Sequence, residues 1–310
     1  MTEGNPGMGA TKRRFFSAMN LGGLTFLEAC RRAWVKLNEH ELMTRAAAIA
    51  FYAIAALVPF MALVLLLAAH LMPWLTGGDQ VDPSKPLGEI LPAEAAKVLT
   101  GQLQYIQEQP SAGLVSFGTI AVLWLNSSLF IAVMDAMNRI RGVSETRPYW
   151  KQRLIAITVS IFEAIVVILG LASTLLWPQI MSLLRLDFAT ATLATVIHGL
   201  IIFLLFLVSF ACALYFGPNA DQRWEWITPG SLFGSLLLLA ISYLFRFYAQ
   251  TWGNYSATYG SLAGVIILLS WLWLSALALL AAAEFNAVIE RASPLGGNPG
   301  RDPNESPSLN

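Results

Sequence analysis

The sequence predicts an all-α, polytopic integral membrane protein with six transmembrane helices and both termini in the cytoplasm. Three observations predict this fold class. The 310 residues are 56% hydrophobic and 12% charged, which is about half the charged fraction of a typical soluble domain. Six apolar segments are each long enough to cross a hydrocarbon core of about 30 Å as a helix. Lysine and arginine concentrate on alternate connections, and this bias sets the orientation.

The six apolar segments lie one after another, separated by polar connections. They cover residues 46–72, 112–137, 153–177, 190–216, 229–250 and 260–288. Periodicity within them is weak, which is typical of helices that are apolar on every side. Fifteen of the 19 lysines and arginines belong to one side of the membrane in this arrangement. They lie before the first segment, after the last segment, or in or at the edge of the second-to-third and fourth-to-fifth connections. This excess predicts that both termini are cytoplasmic.

Three further regions surround or interrupt the predicted six-helix domain, residues 46–290. Residues 1–23 and 291–310 are polar and lack apolar runs, so we expect two disordered cytoplasmic tails. The connection 73–111 is predicted to lie outside the membrane, where it caps the outer face or forms an acidic vestibule. The chain is therefore one membrane domain with flexible ends.

Residues 24–45 are predicted to form a juxtamembrane amphipathic helix. Leu27, Cys30, Trp34 and Leu37 fall on one stripe at helical spacing, and the basic residues of this stretch lie away from it. Two interpretations remain open. The helix either lies on the inner membrane surface or docks on the protein's own loops.

Small residues four positions apart mark two predicted helix-packing faces. They are Gly230 and Gly234 in the fifth segment, and Ser256, Gly260 and Gly264 around the start of the sixth. Such spacing lets helix backbones approach closely in lipid. The two sets lie at opposite predicted depths and so cannot face each other. Packing within one bundle is one interpretation, and a seam in a homo-oligomer is the other.

Polar residues inside the apolar segments define a candidate intramembrane site. Glu163 is predicted to lie about 15 Å from the inner surface at helical rise, and His198 at a similar depth of about 18 Å if the fourth segment spans roughly 30 Å. A charge in lipid needs a partner or a wet cavity, so we expect these two residues to hydrogen-bond. With Asn126 in the second segment they would relay a proton or hold a substrate. The alternative is a buried structural bond without a transport role.

Two other features concern helix shape and helix ends. Pro59 falls in the middle of the first segment, where a missing backbone hydrogen bond predicts a kink. Charged residues near the inner ends of several segments predict an inner-face charge cluster, either a set of salt bridges that fixes helix ends or a gate. Its members are Arg45, Asp135, Arg139 and Glu284.

The sequence offers little support for an enzyme. The three histidines, His40, His70 and His198, lie on different segments, and HxH, HExxH, CxxC, Walker and GxSxG patterns do not occur. These are the spacings that metal, phosphate and acyl-transfer chemistry commonly use. We therefore predict no catalytic residues, no bound metal and no cofactor. The basic residues follow the membrane topology, so no nucleic-acid partner is predicted.

Three stretches of the sequence carry a family pattern. They are "RAAAIAFYAIAALVPF" (45–60), "DAMNRIRGVSETRPYWKQRL" (135–154) and "NYSATYGSLAGVIILLSWLWLSALALLAAAEFNAVIE" (254–290). Together they resemble the YihY/BrkB family of bacterial inner-membrane proteins, long labelled "ribonuclease BN". Two positions depart from the pattern that this family leads us to expect. Ala282 stands where a glycine is expected, and Phe285 replaces a smaller aliphatic residue.

The resemblance implies a multi-pass protein of the bacterial inner (plasma) membrane with a transport or envelope role. A ribonuclease activity is not expected, because a zinc-dependent nuclease needs a histidine–aspartate metal site and the sequence contains none. We predict a permease-like transporter of unknown substrate, either a small molecule or a lipid. A non-transporting scaffold or envelope assembly factor is the alternative. The lipid bilayer is the direct partner in both cases.

Overall fold

The computed structural model describes residues 21–57, 112–184, 188–220, 227–251 and 262–293. All regular structure within these ranges is helical, as the sequence predicts. Several predicted features lie outside the described residues. They are the kink at Pro59, the packing residues Ser256 and Gly260, the connection 73–111, and the tails up to residue 20 and from residue 294.

Seven helices are described, after a short 3₁₀ turn at Leu21–Gly23. In chain order they are α1 (Phe26–Glu39), α2 (Leu42–Leu57), α3 (Ala112–Arg141), α4 (Tyr149–Leu184), α5 (Phe188–Phe216), α6 (Pro229–Thr251) and α7 (Leu262–Ala292). The 3₁₀ turn falls within the predicted N-terminal tail, and α7 continues two residues beyond the predicted end of the membrane domain at residue 290. The predicted helix over 24–45 is divided into α1 and the start of α2.

The break between α1 and α2 lies at His40 and Glu41. Thr25 begins α1 as its N-cap, and its hydroxyl accepts a hydrogen bond from the Glu28 N–H at 3.3 Å. The helix ends at Glu39, and Glu41 then takes a positive φ of 55°, which an ordinary side chain adopts rarely. This sharp turn separates α1 from the apolar α2.

Helix α7 lies at the centre of the packing, in contact with α1, α3 and α6. The contacts of α4 are with α3 and α5, and α5 also contacts α6. Met134 and Met137 of α3 pack with Leu280 and Ala282 of α7 in one buried core. A second cluster joins α1 to α7 and contains Ala29, Ala33, Phe285, Val288 and Ile289.

The outward surfaces of the long helices are apolar. Ile165 and Leu169 on α4 are more than half exposed, as are Leu193 and Leu200 on α5. A soluble protein would cover such a surface, whereas lipid does not disfavour it. By length and composition, the described stretches Tyr149–Thr174, Ala189–Phe216 and Gly264–Ala292 can each cross a membrane, and Leu42–Leu57 and Pro229–Phe245 are shorter apolar helices.

Candidate functional site

The buried carboxyl group of Glu163 lies between α4 and α5. The Ser209 hydroxyl on α5 donates a hydrogen bond to its Oε2 atom. Its Oε1 atom is buried and has no hydrogen-bond partner among the described residues. An unpaired buried oxygen is costly, so packing alone does not account for a carboxylic acid at this position.

His198 does not meet Glu163, and the predicted hydrogen bond between them is wrong. The His198 Nε2 atom lies 3.3 Å from the Ser173 hydroxyl oxygen, and the imidazole stacks on the Trp177 indole with ring centroids 4.1 Å apart. Ser173 is ten residues beyond Glu163 in α4, a distance of about 15 Å along the helix. The two predicted partners therefore lie at different depths.

The register of α4 against α5 explains this difference. Glu163 opposite Ser209 and Ser173 opposite His198 fit one antiparallel register. The predicted depth of His198 assumes that the fourth segment, 190–216, spans roughly 30 Å. However, α5 has 29 residues, which is about 43 Å at helical rise. The extra length moves His198 away from the level of Glu163.

Asn126 of α3 is half-buried, and the described hydrogen bonds of Glu163 and His198 go to Ser209 and Ser173 instead of to Asn126. Its neighbours Ser127 and Ser128 instead accept hydrogen bonds from Arg153 Nη1 of α4, at 2.7 and 3.0 Å. The Arg153 guanidinium also lies over the Trp124 ring, 3.9 Å from its centroid. The described hydrogen bonds thus do not join the three residues of the predicted polar site.

Gly230 and Gly234 on α6 lie directly against α7. A Cβ atom added at Gly230 would be 2.3 Å from the Ala282 carbonyl oxygen, and one added at Gly234 would be 2.5 Å from the Ala282 Cβ. The Asn286 side chain supports the same contact, since its Oδ1 accepts from the Gly230 N–H at 2.7 Å. Gly264 is half-buried near the start of α7.

The predicted inner-face charge cluster consists of two neighbouring groups. Arg45 forms an ion pair with Asp135. Glu284 is fully buried, with its two carboxylate oxygens 2.8 Å from His40 Nδ1 and 3.4 Å from Arg291 Nη1. The Arg45 Nε–H also donates to the His40 carbonyl at 3.3 Å, which connects the groups. Arg139, the fourth predicted member, is exposed and has no carboxylate partner in the described chain.

A polar clamp joins the α3–α4 loop to the α5–α6 connection, and sequence reasoning did not find it. Asn138 accepts a hydrogen bond from the Asn219 N–H at 2.6 Å and donates to Glu145 at 2.9 Å. Glu145 is held by two side-chain hydrogen bonds from Arg147, both 2.7 Å. The Arg147 hydrogen bonds, and then that of Asn138, lower the pKa of the Glu145 carboxyl below its ordinary value.

The described residues contain no group of three or more histidine, cysteine, aspartate or glutamate side chains that could hold a metal ion. Their geometry is that of a helical membrane protein, with an apolar lipid-facing surface, one isolated buried carboxyl group and a charged end. Membrane helices of this kind keep intramembrane ionisable groups mainly at functional positions. The class of protein is therefore a multi-helix membrane protein.

The family model for "Virulence factor BrkB" matches residues 33–306, and the chain belongs to that family. This confirms the resemblance to the YihY/BrkB family. The ribonuclease-like protein YfkH of Bacillus subtilis is 29% identical over 83% of this chain and 93% of its own length. UPF0761 membrane proteins are also similar. That of Chromobacterium violaceum is 27% identical over 66% of this chain, and that of Nitrosospira multiformis is 26% identical over 82%.

The chain spans 48% and 58% of the lengths of these two UPF0761 proteins, respectively. No solved structure matches the chain.

Proposed function

We propose that this protein is a permease-like transporter of the bacterial inner membrane. In this proposal the chain crosses the bilayer six times and both termini are cytoplasmic. The observation that carries the transport role is Glu163, whose buried Oε1 atom has no partner among the described residues. Intramembrane acids with incomplete hydrogen bonding are typical of proton and ion pathways. The substrate would be a small molecule or a lipid.

The distribution of ion pairs supports the proposed orientation. Arg45 with Asp135, Arg141 with Glu290, and Glu145 with Arg147 all lie at one end of the helices. Most lysines and arginines of the sequence belong to this end, and positively charged connections stay in the cytoplasm. This end is therefore the cytoplasmic face in our proposal.

The transport proposal is tested by proton movement into proteoliposomes. Purified protein is reconstituted with a pH-sensitive dye inside the vesicles, and a potassium gradient with valinomycin imposes the membrane potential. We expect protein-dependent acidification that Glu163→Gln reduces to the level of protein-free vesicles. His198→Gln is the matched control, because His198 lies apart from Glu163 and should leave the flux intact. Equal flux in wild type and Glu163→Gln would contradict the proton pathway.

The second candidate is a non-transporting membrane scaffold with the same topology. The close backbone contact of Gly230 with α7 favours it, as does the salt-bridged inner end, because both hold helices in a fixed arrangement. A wild-type protein whose vesicles acidify no faster than protein-free vesicles would support this candidate. Such a scaffold would act through partner proteins or through a second copy of the chain.

Neither candidate includes a ribonuclease activity. The relative YfkH carries that word in its name, but a metal-dependent nuclease needs clustered ligands around the ion. In this sequence His40, His70 and His198 lie on three different segments. We accordingly propose a protein that is not an enzyme and that has no nucleic-acid partner.

A further inference from the structure

A basic cavity lies between α1 and the C-terminal end of α7, outside the intramembrane site. Its volume is about 290 Å³. Four cationic side chains line it, together with an apolar wall that includes Val35 and Val288. The cations are Arg31, Arg32, Lys36 and Arg291. No acidic residue of the described chain is part of the lining, so these residues present positive charge next to an apolar surface.

Three of the four cations of the cavity are available to a ligand, because Arg291 is already held by Glu284 and by the Ile140 carbonyl. Within the described chain, Arg31 has no carboxylate partner. Arg32 pairs with Glu28, and Lys36 pairs with Glu39, but all four of these side chains are about 40% exposed or more. Exposed ion pairs of this kind contribute little to stability. An anion could therefore replace them at small cost.

Helix α1 places the cavity where a lipid headgroup would lie. It docks on α7 through Ala29 and Ala33, which are buried. Its other side leaves Leu27 80% exposed and Trp34 59% exposed. Tryptophan prefers the headgroup layer, and an amphipathic helix with such a face lies at the membrane surface. The cavity opens beside this face, at the end of the membrane-capable helix α7.

We propose that this cavity binds the phosphate group of an anionic phospholipid. Guanidinium groups bind phosphate oxygens in a bidentate manner that lysine alone does not provide, and two of the three available cations are the arginines Arg31 and Arg32. Val35 and Val288 would contact the glycerol and the first carbons of the acyl chains. Basic pockets beside membrane helices are suited to anionic headgroups for this reason. The site would hold α1 against the membrane surface.

Native mass spectrometry of the full-length protein tests the proposal. The protein is released from nanodiscs that contain equal amounts of phosphatidylglycerol and phosphatidylcholine, and the retained lipids are counted. We expect preferential retention of phosphatidylglycerol. The double variant Arg31→Gln/Lys36→Gln should lower that affinity about 30-fold, which equals about 2 kcal/mol for two cations near the headgroups.

The matched control is Arg139→Gln/Lys151→Gln, which removes two exposed cations that do not line the cavity. This control should retain phosphatidylglycerol as the wild type does. Val35→Trp fills the cavity without changing its charge, and it should also lower retention. If the double variant at Arg31 and Lys36 fails to fold, the retention of phosphatidylglycerol by Val35→Trp tests whether the cavity binds the lipid.

A parallel experiment separates a lipid from a soluble phosphate compound. Inorganic phosphate and glycerol phosphate are added to the protein in detergent, and the thermal unfolding temperature is recorded. If they stabilise the wild type but not the Arg31 and Lys36 variant, and phosphatidylglycerol is retained preferentially, the phospholipid site is supported. The same stabilisation with equal retention of both lipids would show a soluble phosphate ligand and overturn the phospholipid assignment. Equal retention of both lipids by the wild type, without stabilisation by either soluble phosphate, would overturn the proposal. So would equal losses in the cavity and control variants.

Discussion

Gly230 lies where α6 crosses α7 without space for a side chain. A methyl group added at this position would lie 2.3 Å from the Ala282 carbonyl oxygen and 2.5 Å from the Asn286 side chain. Because the two backbones lie so close, the Asn286 Oδ1 atom accepts a hydrogen bond from the Gly230 N–H at the start of α6. This N–H has no partner within its own helix. Gly230 thus allows both the close contact of α6 with α7 and the hydrogen bond that caps the start of α6.

We expect Gly230→Ala to destabilise the protein by about 1–3 kcal/mol, because α6 must move away from the α7 backbone. Thermal unfolding in detergent measures this loss. Gly199→Ala in α5 is the matched control, since no atom lies within 4 Å of its added Cβ. The control should be neutral or up to about 1 kcal/mol more stable, because alanine favours a helix. Equal unfolding temperatures for the two variants would contradict the close contact.

The sequence predicts which single residues are unusual better than it predicts their partners. The spacing of Gly230 and Gly234 indicated a packing face, but only the structure identifies α7 as the helix they contact. Ala282, which departs from the pattern expected of the family, is the residue that meets both glycines. The sequence does not reveal that Asn286 of α7 caps the start of α6. An asparagine near a helix end is common, and its partner Gly230 is 56 residues away in the chain.

At the scale of elements, the clamp around Asn138 fixes one loop to another. The α3–α4 loop contributes Glu145 and Arg147, and the α5–α6 connection contributes Gly217 and Asn219. The two loops are far apart in the chain, since Arg147 and Gly217 are separated by 70 residues. Hydrogen bonds to a charged group are stronger than neutral ones, so the Glu145 carboxylate should be the main source of this stabilisation.

Glu145→Gln should therefore lower stability in a pH-dependent manner. The folded pKa of Glu145 lies below its ordinary value, so the carboxylate stabilises the fold above the unfolded pKa of about 4.3. This stabilisation is lost as the pH falls from there through the folded pKa. We expect the variant to be about 1–2 kcal/mol less stable than wild type at pH 7, with the difference decreasing below about pH 4.

Denaturant unfolding in detergent between pH 3.5 and 7 measures this difference. Glu28→Gln is the control, because Glu28 belongs to an exposed ion pair with Arg32 and such pairs are weak. A difference between wild type and Glu145→Gln that stays constant over the whole pH range would contradict the role of the carboxylate charge.

For α5 and α6, helix ends were predicted from the sequence more accurately than helix register, whereas α4 extends four and seven residues beyond the predicted 153–177. The predicted segment 229–250 corresponds to α6 at Pro229–Thr251, and 190–216 corresponds to α5 at Phe188–Phe216. These ends follow from changes in polarity, which the sequence displays directly. Register between α4 and α5 depends instead on side-chain contacts such as Ser209 with Glu163. Helices that are apolar on every side carry no periodic signal that could reveal it.

At the scale of the whole molecule, charge and apolar surface separate along the helices. The α3–α4 loop, the start of α2 and the end of α7 bring their charged residues to one end, where Arg141 binds Glu290 at 2.7 Å. The middle of the helices carries the exposed leucines and isoleucines instead. This distribution was predictable, because both the cations and the apolar runs are visible in the sequence. The depth of each ionisable group was not, since it depends on helix length and tilt.

The proposed topology makes a prediction for reporter fusions. Gly142 follows α3 at the charged end, in a loop that begins with a positive φ of 68°, and we expect this end to be cytoplasmic. Green fluorescent protein fused after Gly142 should therefore fluoresce, and alkaline phosphatase at the same position should be inactive. A fusion after Gly78, beyond the first apolar segment, should give active phosphatase and no fluorescence. A fusion after Ser293 should behave as the Gly142 fusion does, because an even number of crossings lies between them. Active phosphatase after both Gly142 and Ser293 would show the reverse orientation, and the basic cavity beside α1 would then face the outer leaflet. Active phosphatase after only one of them would contradict the predicted number of crossings.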